Sequence, residues 1–208
     1  VEMPIAGKWS LPMASEITDD VVRNEERVIL KLFHGLDMQE GYRAEFIEGE
    51  ICVSPPRIGK HDLVLSRIAR QVLTQSAVDM LVSWTKGLLL PRGEGDVENH
   101  VIPDGVYVRY EPYVFDNADP WMPPDGVEMV SEVTFGKPDR DREVKRRCYA
   151  KAGIPLYLFV DRSTRTVSLF GAPGRAAADY GEVTRVPFGN LLPLPQPFSF
   201  PLDTMDFV

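Results

Sequence analysis

Val127-Glu128-Met129-Val130-Ser131-Glu132-Val133-Thr134, a charged segment from Asp139 to Ala152, and Leu156-Tyr157-Leu158-Phe159-Val160 follow one another in the second half of the chain. The first and last are apolar runs of strand length. The piece between them is long enough for a helix, and Gly153 supplies its stop. Strand, helix and strand in that order are the mark of an α/β arrangement. Upstream, Val106 and Val108 alternate with Tyr107 and Arg109, which predicts a strand over Val101 to Tyr110. Met80 to Trp84 and Leu88 to Leu90 read as strands, Gly93 to Asn99 as a Gly/acid loop, and Glu111 to Asp125 as a Pro- and Asp-rich loop. Leu65, Ile68, Ala69, Val72 and Leu73 recur at helical spacing from His61 to about Ser76. Before them, Tyr42 to Ile47 and Glu50 to Val53 read as a hairpin turned at Glu48-Gly49 and ended by Pro55-Pro56. Thr18 caps an amphipathic helix running to about Phe33. Downstream, Thr166 to Phe170 pairs with the strand that ends at Val160, and Glu182 to Pro187 adds another. The expected architecture is an α/β mixed β-sheet flanked by helices. Residues 1–17 read as an N-terminal arm and 18–208 as one domain, whose Pro-rich tail after Leu192 is expected to drape over the surface.

Composition excludes several classes. Two cysteines in 208 residues cannot build a disulfide scaffold, and Cys52 and Cys148 stand too far apart for CxxC chemistry, so both are expected as free thiols in a reducing cytoplasm. The apolar runs, such as Gly87-Leu88-Leu89-Leu90, fall far short of the ~18 residues that span a bilayer. Val1 to Ser15 carries no basic start followed by an apolar stretch, so nothing marks export. With 23 Lys and Arg against 31 Asp and Glu, the net charge of -8 argues against a general nucleic-acid coat. No GxxxxGK[ST], HExxH or GxSxG pattern occurs, and Gly93-Glu94-Gly95 lacks the third glycine and the helix that would hold a dinucleotide, so no nucleotide cofactor is expected. His34, His61 and His100 are too dispersed to predict a metal cluster.

The carboxylates say more. Asp104 follows Pro103 at the start of a strand, and Glu132 lies inside the apolar run between Val130 and Val133. An unpaired buried carboxylate loses several kcal/mol of solvation, so Glu132 calls for compensation. A divalent cation shared with a second carboxylate would provide it, and so would an arginine partner or a solvated face. Lys137 to Lys151 places Lys137, Arg140, Arg142, Lys145, Arg146, Arg147 and Lys151 against Asp139, Asp141 and Glu143, a local +4. On a regular helix Asp141, Lys145 and Tyr149 share one face. A basic helix directly after an acidic strand suits a phosphodiester site, with acids for metal and cations for phosphate. On composition alone a solvated helix laced by i,i+4 pairs is the more ordinary use of such a segment.

Taken together, Pro103-Asp104, Ser131-Glu132-Val133-Thr134, Asp141-Arg142-Glu143-Val144-Lys145 with Tyr149-Ala150, and Ala152-Gly153-Ile154-Pro155-Leu156-Tyr157-Leu158-Phe159-Val160-Asp161 resemble the successive blocks of the Uma2 family. That family groups bacterial restriction-endonuclease-like proteins of the PD-(D/E)XK nuclease superfamily. Ala44 to Glu50, Ser54-Pro55-Pro56 and His61 resemble its first block, so the likeness runs from about Tyr42 to Phe170. It implies a restriction-endonuclease-like core and a DNA endonuclease dependent on Mg²⁺ or Mn²⁺. Asp104 and Glu132 would be the metal-binding acids and Lys145 the lysine. Glu45, His61, Asp141 and Tyr149 would support them, while Arg142, Arg146 and Arg147 would grip DNA phosphates. The superfamily's lysine stands two positions after the glutamate, where this chain has Thr134; the Uma2 pattern places it in the following helix. A non-catalytic DNA- or partner-binding protein with the same fold is the alternative. A homodimer would suit cleavage of both strands of a duplex. Between Glu94 and Glu132 ten acids face one base, Arg109, so the acidity is concentrated where the metal ligands are expected.

Overall fold

The computed structural model describes residues 19–93, 96–134 and 140–207, with side chains from residue 21 onward and without those of 140–142. The expected arm, residues 1–17, lies outside the described residues. Helix α1, Asp19–His34, leads to the hairpin of β1, Arg43–Ile47, and β2, Glu50–Ser54. Helix α2, Gly59–Gln75, follows, then β3, Met80–Ser83, and β4, Gly87–Leu90. Next come β5, Asn99–Val101, β6, Gly105–Arg109, the short β7, Trp121–Met122, and β8, Val127–Val133. A π-helical turn, Arg140–Lys145, runs into α3, Arg146–Ala152. The chain ends with β9, Leu156–Asp161, β10, Thr166–Gly174, β11, Asp179–Pro187, β12, Leu191–Pro193, and β13, Pro201–Asp203.

The expected strand–helix–strand unit is present as β8, α3 and β9, with β8 and β9 paired in parallel from Met129 opposite Leu156 to Val133 opposite Val160. They form the centre of a sheet ordered β11-β10-β9-β8-β6-β3, next to a second ordered β2-β1-β5-β4-β7 and a small β12-β13 pair. Side chains alternate across β8. Met129 and Val133 pack with α2 residues Val64, Leu65, Ile68 and Val72, whereas Val130 faces Cys148, Tyr149 and Ala152 of α3. Glu132, two residues after Val130, therefore points to the α3 side. Gly153, at φ 79°, takes the left-handed turn that ends α3.

The structure departs from the expected elements at two places that matter. The predicted strand over Val101 to Tyr110 is two strands in different sheets, β5 and β6, separated at Ile102-Pro103-Asp104. Pro103 offers no N–H to a ladder, so the chain leaves one sheet there and enters the other. The tail does not drape over the surface. Phe198, Phe200, Leu202 and Phe207 are buried in the same cluster as the inner face of α2, and Gln71 of that helix exchanges two hydrogen bonds with the Asp203 backbone, at 2.9 and 2.7 Å. Apolar residues at alternate positions 198, 200 and 202 outweigh the prolines around them.

Gly105 opens β6 beside Asp104. A Cβ there would lie 2.6 Å from Ser131 Oγ and 2.9 Å from the Tyr107 hydroxyl, two atoms hydrogen-bonded to each other at 3.1 Å. Gly105→Ala is expected to destabilise the protein by about 1–3 kcal/mol through this overpacking, read as a lower urea midpoint at an unchanged m-value.

Candidate functional site

Antiparallel β6 and β8 set Gly105 opposite Ser131, so Asp104 and Glu132 arrive at one end of two neighbouring strands. The backbone N–H of Val133 donates to Asp104 Oδ2 at 2.9 Å, which ties the two positions together. Strand β1 approaches from the other sheet and brings Arg43 and Glu45, two residues apart and hence on one face. The first turn of α2 brings His61, with Arg57 just ahead of the helix. The π turn and α3 supply Lys145 and Tyr149.

These side chains form two clusters. In one, Lys145 Nζ lies 2.9 Å from Glu132 Oε1 and 3.0 Å from Glu45 Oε1, with all three groups at most 6% exposed. Glu132 Oε1 also accepts from the Tyr149 hydroxyl at 2.5 Å, and Glu45 Oε1 accepts from the Ile102 N–H at 2.8 Å. Burial, reinforced by the Glu132 charge, pushes the Tyr149 phenol well above its ordinary range, so it stays a donor. In the other cluster, Asp104 Oδ1 accepts from Arg57 at 2.7 Å and from both terminal nitrogens of Arg43 at 3.3 Å. Its Oδ2 accepts from His61 Nε2 at 2.9 Å as well as from Val133. Burial alone would raise the Asp104 pKa. The His61 hydrogen bond and charge, then the two guanidinium charges, outweigh it and hold the carboxyl well below the usual range. An ionised carboxylate only accepts, so His61 Nε2 is the donor in this contact.

Of the residues singled out in the sequence, Glu132, Lys145, Glu45 and Tyr149 meet in the first cluster and Asp104 and His61 in the second, linked through the Val133 backbone. Arg146 joins neither: it pairs with Asp179 at 2.9 Å and lies over the Phe170 ring. It lines, with Arg185, a neighbouring cavity of about 290 Å³ whose wall includes Phe159, the residue opposite Glu132. Arg147 is exposed. The side chains of Asp141 and Arg142 lie outside the described residues. Cys52 and Cys148 are free thiols, and burial with the Glu48 charge pushes the Cys148 thiol up to about 12, too high for a nucleophile. Sequence reasoning missed Arg43 and Arg57. Alternation along β1 put Arg43 on the face of Glu45, so a signal existed; nothing in the Pro-rich approach to α2 singled out Arg57.

Among the described residues no group of three His, Cys, Asp or Glu side chains is placed to enclose a metal ion. Magnesium does not demand one. It keeps several waters and is held by one or two carboxylates together with substrate phosphate. Asp104 and Glu132, hard oxygen donors at adjacent strand ends, fit that requirement.

Two outcomes follow from the buried charges. Lys145→Met leaves Glu45 and Glu132 facing each other without their shared ammonium and is expected to cost about 3–5 kcal/mol in chemical denaturation. The second concerns pH. Asp104 has a folded-state pKa below its unfolded value of about 4, so its contribution to stability is complete above about pH 5 and is lost as pH falls below 4 through the folded value. Melting curves in chelator should therefore show wild type and Asp104→Asn far apart at pH 6 and converging on acidification.

Comparison with known proteins gives this geometry a family. Among curated proteins none matches the chain. A solved structure described as a "putative nuclease belonging to DUF820" from Anabaena variabilis superposes with a TM-score of 0.61 at 19% identity, covering 86% of this chain and 96% of that one. At that identity the likeness establishes the fold, a mixed sheet flanked by helices shared with that protein. A family model matches residues 30–204, nearly the whole described chain, and on that match the protein belongs to the Uma2 family, described as "Putative restriction endonuclease".

Proposed function

We propose that the protein is a divalent-cation-dependent DNA endonuclease in which Asp104 and Glu132 hold Mg²⁺ or Mn²⁺ and Lys145 serves the reacting centre. The observation that carries this reading is the buried Lys145 ammonium, 2.9 Å from Glu132 at the strand end it shares with Asp104. When bound, the cation supplies an acidified water and neutralises charge on the scissile phosphate. The remaining steps belong to the chain. Tyr149 fixes the rotamer of Glu132 through its hydroxyl, and His61 and the Val133 N–H fix that of Asp104. Glu45 is a second carboxylate on Lys145, so the ammonium is oriented before substrate arrives. From there Lys145 can donate to the attacking water or to a phosphate oxygen as negative charge develops, help commonly worth several kcal/mol.

Exposed Arg147, with Arg142 and Arg146 on the same segment, would grip flanking phosphates. Membership of a family described as restriction endonucleases supports DNA as substrate. No helix among the described residues is long and apolar enough to cross a membrane, which is compatible with action in the cytoplasm. Two copies would cut both strands of a duplex. One observation favours the alternative, a non-catalytic nuclease-fold protein. Both oxygens of Asp104 are engaged by Arg43, Arg57, His61 and the Val133 N–H, so the site is charge-compensated as it stands.

Plasmid nicking separates the two. Wild type is expected to nick supercoiled DNA in Mg²⁺ and not in chelator, and Asp104→Ala and Glu132→Ala to lose at least about a hundredfold of that rate while keeping native circular dichroism. Undiminished nicking by either folded variant overturns the assignment of the acids; a wild type inert in both Mg²⁺ and Mn²⁺ supports the alternative.

A further inference from the structure

Two guanidinium groups and a histidine on a single carboxylate are more than that carboxylate needs for compensation. Lys145 is shared between Glu45 and Glu132, whereas Asp104 has Arg57 at 2.7 Å, Arg43 at 3.3 Å and His61 at 2.9 Å to itself. The two arginines also differ from the other partners. His61 is 2% exposed and enclosed by the fold, but the Arg43 and Arg57 side chains are 26% and 17% exposed, so these two partners of Asp104 remain accessible to solvent. Both compete for Oδ1, and neither forms the parallel two-oxygen fork that makes an arginine–carboxylate pair strong. Arg57 is further under-used: its buried Nε has no hydrogen-bond partner. A guanidinium whose donors match a phosphate's spread of oxygens better than one carboxylate oxygen is poised to change partner.

We propose that Arg57 and Arg43 are exchangeable counterions, which neutralise Asp104 in the metal-free protein and turn to the DNA phosphate when a divalent cation takes their place on Oδ1. The inference rests on reading Asp104 and Glu132 as the cation's ligands. It adds two substrate-binding residues and a consequence: cation and arginine compete for Asp104, so phosphate, by drawing the arginines away, helps the cation in. His61 and the Val133 N–H stay on Oδ2 throughout and keep the carboxylate oriented.

The test is Mn²⁺ titration of the full chain by calorimetry, without DNA, on wild type, Arg57→Gln and Asp104→Asn. Arg57→Gln is expected to bind Mn²⁺ about tenfold more tightly than wild type, within the usual range of site-to-site coupling. The same variant should bind a short duplex in Ca²⁺ more weakly, with a salt dependence lower by about one phosphate contact. A purely structural Arg57 would give the reverse for the metal, because its loss would leave Asp104 less ordered. Mn²⁺ binding that is equal or weaker, or unaltered duplex affinity, overturns the proposal. Should Arg57→Gln not fold, wild-type crystals soaked in Mn²⁺ decide: Arg57 is expected beyond ion-pair distance of Asp104, and an Arg57 still paired with it overturns the proposal. If wild type takes up no Mn²⁺, or Asp104→Asn takes it up equally well, the cation-site reading itself has failed. That result is distinct from a normal, Asp104-dependent uptake that Arg57→Gln does not strengthen.

Discussion

One buried ammonium connects most of this structure. Lys145 Nζ touches Glu45 from β1 and Glu132 from β8, which belong to different sheets, and it comes from the turn that starts α3. Three secondary-structure elements with no covalent proximity thus meet in one charge cluster, with Tyr149 adding a fourth hydrogen-bonding atom one helical turn along. Such a cluster contributes little net stability, since desolvation offsets much of the Coulomb attraction. It is intolerant of displacement, because any member that moves leaves a buried charge behind. The orientation of α3 against the sheet is therefore pinned at its N-terminal end by charge and along its length by Cys148, Tyr149 and Ala152 in the apolar cluster.

The change of sheet at Ile102-Pro103-Asp104 is the stretch of backbone at which the two clusters adjoin. Had β5 and β6 been one strand, Asp104 would lie mid-ladder with its neighbours committed to pairing. Instead the Ile102 N–H is free of the ladder and donates to Glu45, and Asp104 collects partners from β1, β8 and the approach to α2. The backbone break and the polar cluster are two aspects of one event. Gly105, where a side chain would meet Ser131 and Tyr107, allows the chain to resume as a strand immediately afterwards.

Much of this was legible in the sequence, and the illegible parts have physical causes. The β8–α3–β9 unit could be read because apolar strand runs on both sides of a charged helix have few other uses. Glu132 was conspicuous as an acid among apolar residues, and its partner Lys145 carried a family resemblance. The break at Pro103 was signalled by the proline itself but masked by strong alternation on either side. The tail was misread because prolines suggested exposure, while Phe198, Phe200 and Leu202 already had strand spacing. Arg57 was invisible: its role arises from a loop that brings it beside a residue 47 positions later, and no local pattern records such a contact.

The docking of the tail on α2 bears on the order in which the site is completed during synthesis. Gln71 and Asp203 are 132 residues apart, and the Ala77 N–H donates to the Phe198 carbonyl across a comparable gap. Helix α2 delivers His61 and is preceded by Arg57, yet part of the surface that seats it comes from residues 198–207, far downstream. A nascent chain folds from its N-terminus as it emerges, at some 5–20 residues per second. Asp104 and Glu132 are thus translated long before the helix that orders one of them is firmly held. The partners that orient Asp104 are therefore fully seated only after residues 198–203 have emerged, well after Asp104 itself.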